Sequence, residues 1–143
     1  MLKISKRLIS AIAAVFMMGG LLMAAGPAQA GKNKFFETQN GKVSCEMIKS
    51  KSITEVLCES LGNKIKSATL KKNGDVTKCK GLKCASNPPE DVSVLKKGKK
   101  KVVGPFKCRA KSKKAVICKV TKSGAGFKMN SKPKIKTIAG ANP

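Results

Sequence analysis

An all-β domain held by disulfides is the fold class this 143-residue chain predicts, as a small antiparallel sheet, sandwich or barrel. Three observations carry that expectation. All six cysteines follow an N-terminal export signal, and export favours disulfide formation. Around two cysteine pairs, apolar and polar residues alternate with the period of two that marks a half-buried strand. No segment of the exported part carries helical periodicity, and its strongest turn signal is the hairpin dipeptide Asn73-Gly74.

The signal has three parts. Lys3, Lys6 and Arg7 form a positive start, an apolar stretch runs from Leu8 to Ala25, and Ala28-Gln29-Ala30 offers a small-x-small cleavage site. Residues 1–30 are therefore expected to be removed, leaving a soluble protein in the periplasm or outside the cell. The competing reading is an uncleaved anchor, because the apolar stretch approaches spanning length. Gly19, Gly20 and the cleavage-like site favour removal. Residues 31–138 then read as one β-rich domain with half-repeats at 35–86 and 92–135, and 139–143 as a frayed tail.

After cleavage only Phe35, Phe36, Phe106 and Phe127 supply aromatic volume, since Trp and Tyr are absent. A chain of this size buries a modest core. Disulfides worth roughly 2–4 kcal/mol each are then comparable to its whole net stability.

Six cysteines allow 15 pairings, and strand register narrows them. Cys108 opposite Cys118 sets Phe106 against Val120 and Ala110 against Val116, all apolar. The other face of that pair receives Lys107, Arg109, Ile117 and Lys119, and the turn falls at Ser112-Lys113-Lys114. Cys45 opposite Cys58 sets Met47 against Val56 and Val43 against Ser60, with Ser44, Glu46, Leu57 and Glu59 outward. Cys79 and Cys84 close the loop Lys80-Gly81-Leu82-Lys83. The expected bridges are Cys45–Cys58, Cys79–Cys84 and Cys108–Cys118, with crossed pairings as the rival.

The two larger hairpins resemble each other. Gly41-x-x-x-Cys45 matches Gly104-x-x-x-Cys108, and Val56-Leu57-Cys58 matches Val116-Ile117-Cys118. Internal duplication explains this, and so does coincidence between two short β-rich segments. Between them, Lys72-Asn73-Gly74-Asp75 suits a two-residue type I′ turn with Lys72 opposite Asp75. Asn87-Pro88-Pro89-Glu90-Asp91 is a stiff connector between halves, and a strand is expected from Val92 to Leu95.

Phe36-Glu37-Thr38-Gln39-Asn40-Gly41-Lys42-Val43-Ser44-Cys45 resembles the opening of a family of small exported bacterial domains of unknown function. Gly104-Pro105-Phe106-Lys107-Cys108, Val116-x-Cys118, Gly124-Ala125-Gly126-Phe127 and Ser131 resemble its close. The resemblance covers about residues 35–135. It implies export and fold and carries no activity. Ala125 stands where that family often has a polar residue or His, and Gln39 where it usually has Pro.

Gly124 and Gly126 are expected to serve a turn or bulge, because no helix follows to receive a phosphate. An enzyme is not expected. The chain has no His, which removes the commonest general base and metal ligand. Neither a metal nor a cofactor is expected. Glu46 and Glu59 could neighbour each other across the first cystine hairpin, and surface charge is the simpler reading.

Charge is the remaining clue. Lys3, Lys6 and Arg7 leave with the signal, so 28 of 31 Lys and Arg residues and all 7 acidic residues stay, for a formal charge of +21. Such a field attracts polyanions by steering and counterion release. Arg109 is the one arginine among these cations, and lysine gives weak selectivity. The densest stretches nominate Lys96, Lys97, Lys99, Lys100 and Lys101, then Lys107, Arg109, Lys111, Lys113, Lys114 and Lys119. An exported protein would meet envelope polymers, anionic membrane surfaces or extracellular glycans. Nucleic acid is disfavoured as a partner by the missing stacking aromatics. The alternative is an inhibitor, adhesin or cationic toxin that acts through a rigid loop, Lys80–Lys83 or Lys96–Lys101. General charge bias without a dedicated partner is the simplest competing account.

Overall fold

Two antiparallel-rich sheets pack face to face, as the alternating patterns require. The computed structural model describes residues 32–61, 64–90 and 92–141. The export signal, Asp91 of the connector, and Asn142 and Pro143 of the tail lie outside these residues.

The first sheet contains β1 (Lys32–Thr38), β2 (Val43–Lys49), β3 (Thr54–Ser60), β4 (Lys66–Lys71), β5 (Val76–Lys80) and β6 (Ser93–Leu95). Its order is β5-β4-β3-β2-β1-β6. The second sheet contains β7 (Lys100–Val103), β8 (Phe106–Ser112), β9 (Ala115–Val120), β10 (Gly126–Asn130) and β11 (Ile135–Ile138), in the order β11-β10-β9-β8-β7. Neither sheet closes on itself, so the architecture is a sandwich and not a barrel.

Both cystine hairpins take the register that their apolar pairs demand. Cys45 lies opposite Cys58, with Met47 against Val56 and Val43 against Ser60. Cys108 lies opposite Cys118, with Phe106 against Val120 and Ala110 against Val116. The bonds are Cys45–Cys58, Cys79–Cys84 and Cys108–Cys118. The two cross-strand cystines meet at the centre of the core, where Cys58 Sγ lies 3.8 Å from Cys118 Sγ. Phe36, Met47 and Leu70 from one sheet and Phe106, Phe127 and Met129 from the other surround them, fully buried. Each such side chain contributes about 1.5–3 kcal/mol by leaving water.

The sheets correspond strand by strand. β7 packs on β1 and β10 on β4, while the cysteine contact joins β3 to β9. The turn between β1 and β2 meets the turn between β8 and β9, through Asn40 N donating to Lys113 O (3.2 Å). Each strand of the second sheet therefore lies over its counterpart and runs the opposite way. An approximate two-fold perpendicular to the strands has this effect.

β6 joins the first sheet as a parallel neighbour of β1. Two expectations need correction. The Asn-Gly hairpin is one residue longer than expected. Leu70 pairs with Val76, and Lys71 N donates to Asp75 O (3.0 Å). The loop is thus Lys72-Asn73-Gly74, with Gly74 at φ 98°, a conformation that glycine adopts without steric cost. Pairing Lys72 with Asp75 would have turned Leu70 or Val76 away from the core. The β8–β9 hairpin is shorter at its tip than expected. A bulge between Ala110 and Ser112 leaves Lys113-Lys114 as the turn.

The expected outward face of the first hairpin is covered. Cys84–Cys79 ties down the start of a strap that runs from β5, at one edge of the first sheet, to β6 at the other. Ser86 donates to Glu59 through both its N–H (2.7 Å to Oε2) and its hydroxyl (2.6 Å to Oε1). Ser86, Asn87 and Pro88 share a small crevice with Phe35, Ser44, Glu46 and Leu57. Ser44 and Glu59 are buried as a result.

Candidate polyanion-binding face

Among the described residues, nothing covers the outer face of the second sheet in this way, and Lys107 and Arg109 on it are exposed. Strand alternation aims Lys107 and Arg109 of β8 and Lys119 of β9 to one side, as the register predicts. Lys107 lies directly opposite Lys119, and Arg109 opposite Ile117. The pairing continues both ways. Lys100 of β7 lies opposite Arg109, Lys128 of β10 opposite Ile117, and Lys136 of β11 opposite Lys128.

The outcome is a row, Lys100–Arg109–Ile117–Lys128–Lys136, crossing all five strands, with Lys107 and Lys119 beside it. At ~4.8 Å between strands, the row spans about 19 Å. Two cross-strand pairs of the row, Lys100–Arg109 and Lys128–Lys136, and the Lys107–Lys119 pair beside it oppose like charges, which costs stability in each case. Lys128 and Lys136 escaped the sequence reading because they stand outside any lysine run. Alternation and register bring them into line.

Charge is divided unevenly along the chain. All seven carboxylates lie at or before Asp91, alongside 12 cations in residues 31–91. Val92 to Pro143 holds 16 cations and no carboxylate. Nothing on the second sheet can neutralise its row from within, and that asymmetry was legible in the sequence as a plain count.

The other nominated cations fall elsewhere. Lys96, Lys97 and Lys99 lie exposed in the turn between β6 and β7, which is held by Gly98 N to Ala110 O (2.8 Å) and Lys97 N to Gln39 Oε1 (3.1 Å). Lys101 does not join the basic surface. It pairs with Cys108 on the inward side of β7, and its Nζ donates to Ser93 Oγ (2.6 Å) across the sandwich edge. Lys111 marks the bulge, and Lys113 and Lys114 form the turn at one end of the sandwich.

Gly124 sits in the turn after β9 at φ 73°. Gly126 is not a turn residue. It opens β10, and a Cβ there would lie 2.0 Å from the Cys118 carbonyl oxygen. The need for a small residue is one of close backbone approach.

The two carboxylates of the expected pair sit in different surroundings. Glu59 has both oxygens engaged by Ser86. Burial raises the Glu46 carboxyl above its ordinary range, and the nearby Glu55 carboxylate adds to the rise. Sulfurs of Cys45, Cys58 and Cys118 cluster within 4.8 Å, but all three are bonded in cystines, and a metal would need thiolates.

No helix among the described residues is long and apolar enough to cross a membrane. No protein-family model, curated protein or solved structure matches the chain.

Proposed function

We propose that this chain is an exported, non-enzymatic binding module that associates with anionic cell-envelope or extracellular polymers through the outer face of its second sheet. The observation that carries the reading is the uncovered cationic row of Lys100, Arg109, Lys128 and Lys136, flanked by Lys107 and Lys119, on a sheet without carboxylates. A linear polyanion lying across the strands would meet these charges in succession and release its counterions. Lysine heads are hydrated point charges, so charge density rather than the shape of one repeat governs selection. Three disulfides fit the oxidising environment that export supplies.

The test is binding of the oxidised protein to soluble anionic polymers across a salt series. The variant Lys107→Gln/Arg109→Gln/Lys119→Gln should lower the slope of log affinity against log salt by about 2–3. An unchanged slope would rule out this face.

One observation favours a second reading. Leu82 is 84% exposed at the tip of the Cys79–Cys84 loop, flanked by Lys80 and Lys83. A rigid loop presenting one apolar side chain suits a protein cleft. Binding to a protein partner that survives high salt and is lost in Leu82→Ser would favour it.

A further inference from the structure

The turns β1–β2, β3–β4, β8–β9 and β10–β11 meet at one end of the sandwich around a cleft of about 550 Å³. Its lining includes Lys42, Lys64, Lys114 and Lys132, with Asn40 and Ser131, and no carboxylate. Much of its wall is carbon, from lysine methylenes and the Pro133 ring. The walls are joined to one another: Asn40 N donates to Lys113 O, and Ser131 N to Lys114 O (2.9 Å). Asn40 Oδ1 accepts from Thr38 Oγ1 (2.9 Å) and Lys42 N (3.4 Å), and among the described residues its Nδ2 makes no hydrogen bond. At the same end of β3, Ser60 Oγ is the one buried side-chain oxygen among the described residues that has no hydrogen-bond partner.

We propose that this cleft is a discrete binding site for a phosphorylated sugar. Four lysine side chains line this opening, and ammonium groups brought onto a phosphate monoester, which carries close to two charges, would suit it better than a single carboxylate. Amide and hydroxyl donors above carbon surface suit a sugar ring. The volume lies within the range of about 300–1,000 Å³ usual for small-ligand sites. The cleft is shallow and lies at the end of the sandwich, whereas the basic row lies on the outer face of the second sheet. The inference rests on the polyanion reading only in that such a sugar is a natural terminal or branching unit of an anionic envelope polymer.

The test is a titration of isotope-labelled, oxidised protein with glucose 6-phosphate, inorganic phosphate and glucose, followed by backbone amide shifts. Glucose 6-phosphate should bind tightest, with saturable shifts centred on Asn40, Lys42, Lys114 and Ser131. Lys42→Gln/Lys132→Gln, both at exposed positions, should weaken it by at least about tenfold. Lys107→Gln/Lys119→Gln should leave it unchanged while weakening binding to polymer. Shifts without saturation, or centred on Lys107 and Lys119, would overturn the site. Equal affinity for inorganic phosphate would overturn the sugar. Loss of polymer binding in the sheet variant with the cleft intact, or the reverse, separates failure of one reading from failure of the other.

Discussion

The two sheets match inside and differ outside. Both centre on a hairpin whose opposed cysteines are bonded and buried, and these cystines touch each other. The outer face of the first sheet is crossed by a strap that engages Glu59 through Ser86. The outer face of the second is bare and carries aligned cations that repel one another. The arrangement teaches that the core and the working surface make separate demands. The core asks for the same thing twice, and only one outer face is left free to carry uncompensated charge.

The largest expected effects test the likeness. Replacing Cys45 and Cys58 with Ala, or Cys108 and Cys118, should each cost about 3 kcal/mol in chemical denaturation, given separations of 13 and 10 residues. Replacing Cys79 and Cys84, separated by 5, should cost about 2 kcal/mol. A loss confined to one of the two central bridges would break the correspondence between the sheets.

Next comes the strap. Ser86→Ala removes the hydroxyl bond to the buried Glu59 carboxylate and should cost about 1–3 kcal/mol. Amide exchange should quicken under the strap and stay unchanged on the second sheet. Uniform exchange would show that the strap is not a separate covering layer.

A smaller effect has the opposite sign. Lys107→Thr relieves the repulsion with Lys119 and should raise stability by about 0.5 kcal/mol at low salt, with the gain fading as salt is added. The same variant should bind anionic polymer more weakly. A destabilised variant would mean that the row is not under electrostatic strain.

The smallest concerns Glu46, whose raised carboxyl makes the folded state hold its proton more tightly than the unfolded state does. Its stabilising contribution is present at low pH and lost as pH rises through the folded-state value. Glu46→Gln should therefore flatten the fall in melting temperature that sets in as pH rises above the ordinary carboxylate value. A steeper fall in the variant would contradict that sign.

Much of this architecture was legible from register alone. Once Cys108 faces Cys118, every apolar partner follows, and the same holds for Cys45 and Cys58, because alternation leaves no freedom within a hairpin. What alternation could not reveal was what lies over a face. Ser44 and Glu59 read as outward and polar, yet they are buried, since the strap around Ser86, 27 residues beyond Glu59, covers them. Lys101 read as one of a run, yet a single step of the pleat turns it inward toward Ser93. Lys128 and Lys136 read as isolated, yet two further pairings place them in the row. The cleft required knowing which turns share an end, and that follows from how the sheets stack.

The Cys79–Cys84 bridge has one more consequence. It spans Lys80-Gly81-Leu82-Lys83, an exposed stretch with two lysines, which is the kind of site that trypsin-like proteases attack. A cut after either lysine would leave the two new ends joined through sulfur. A nick in this exposed loop would therefore be survivable.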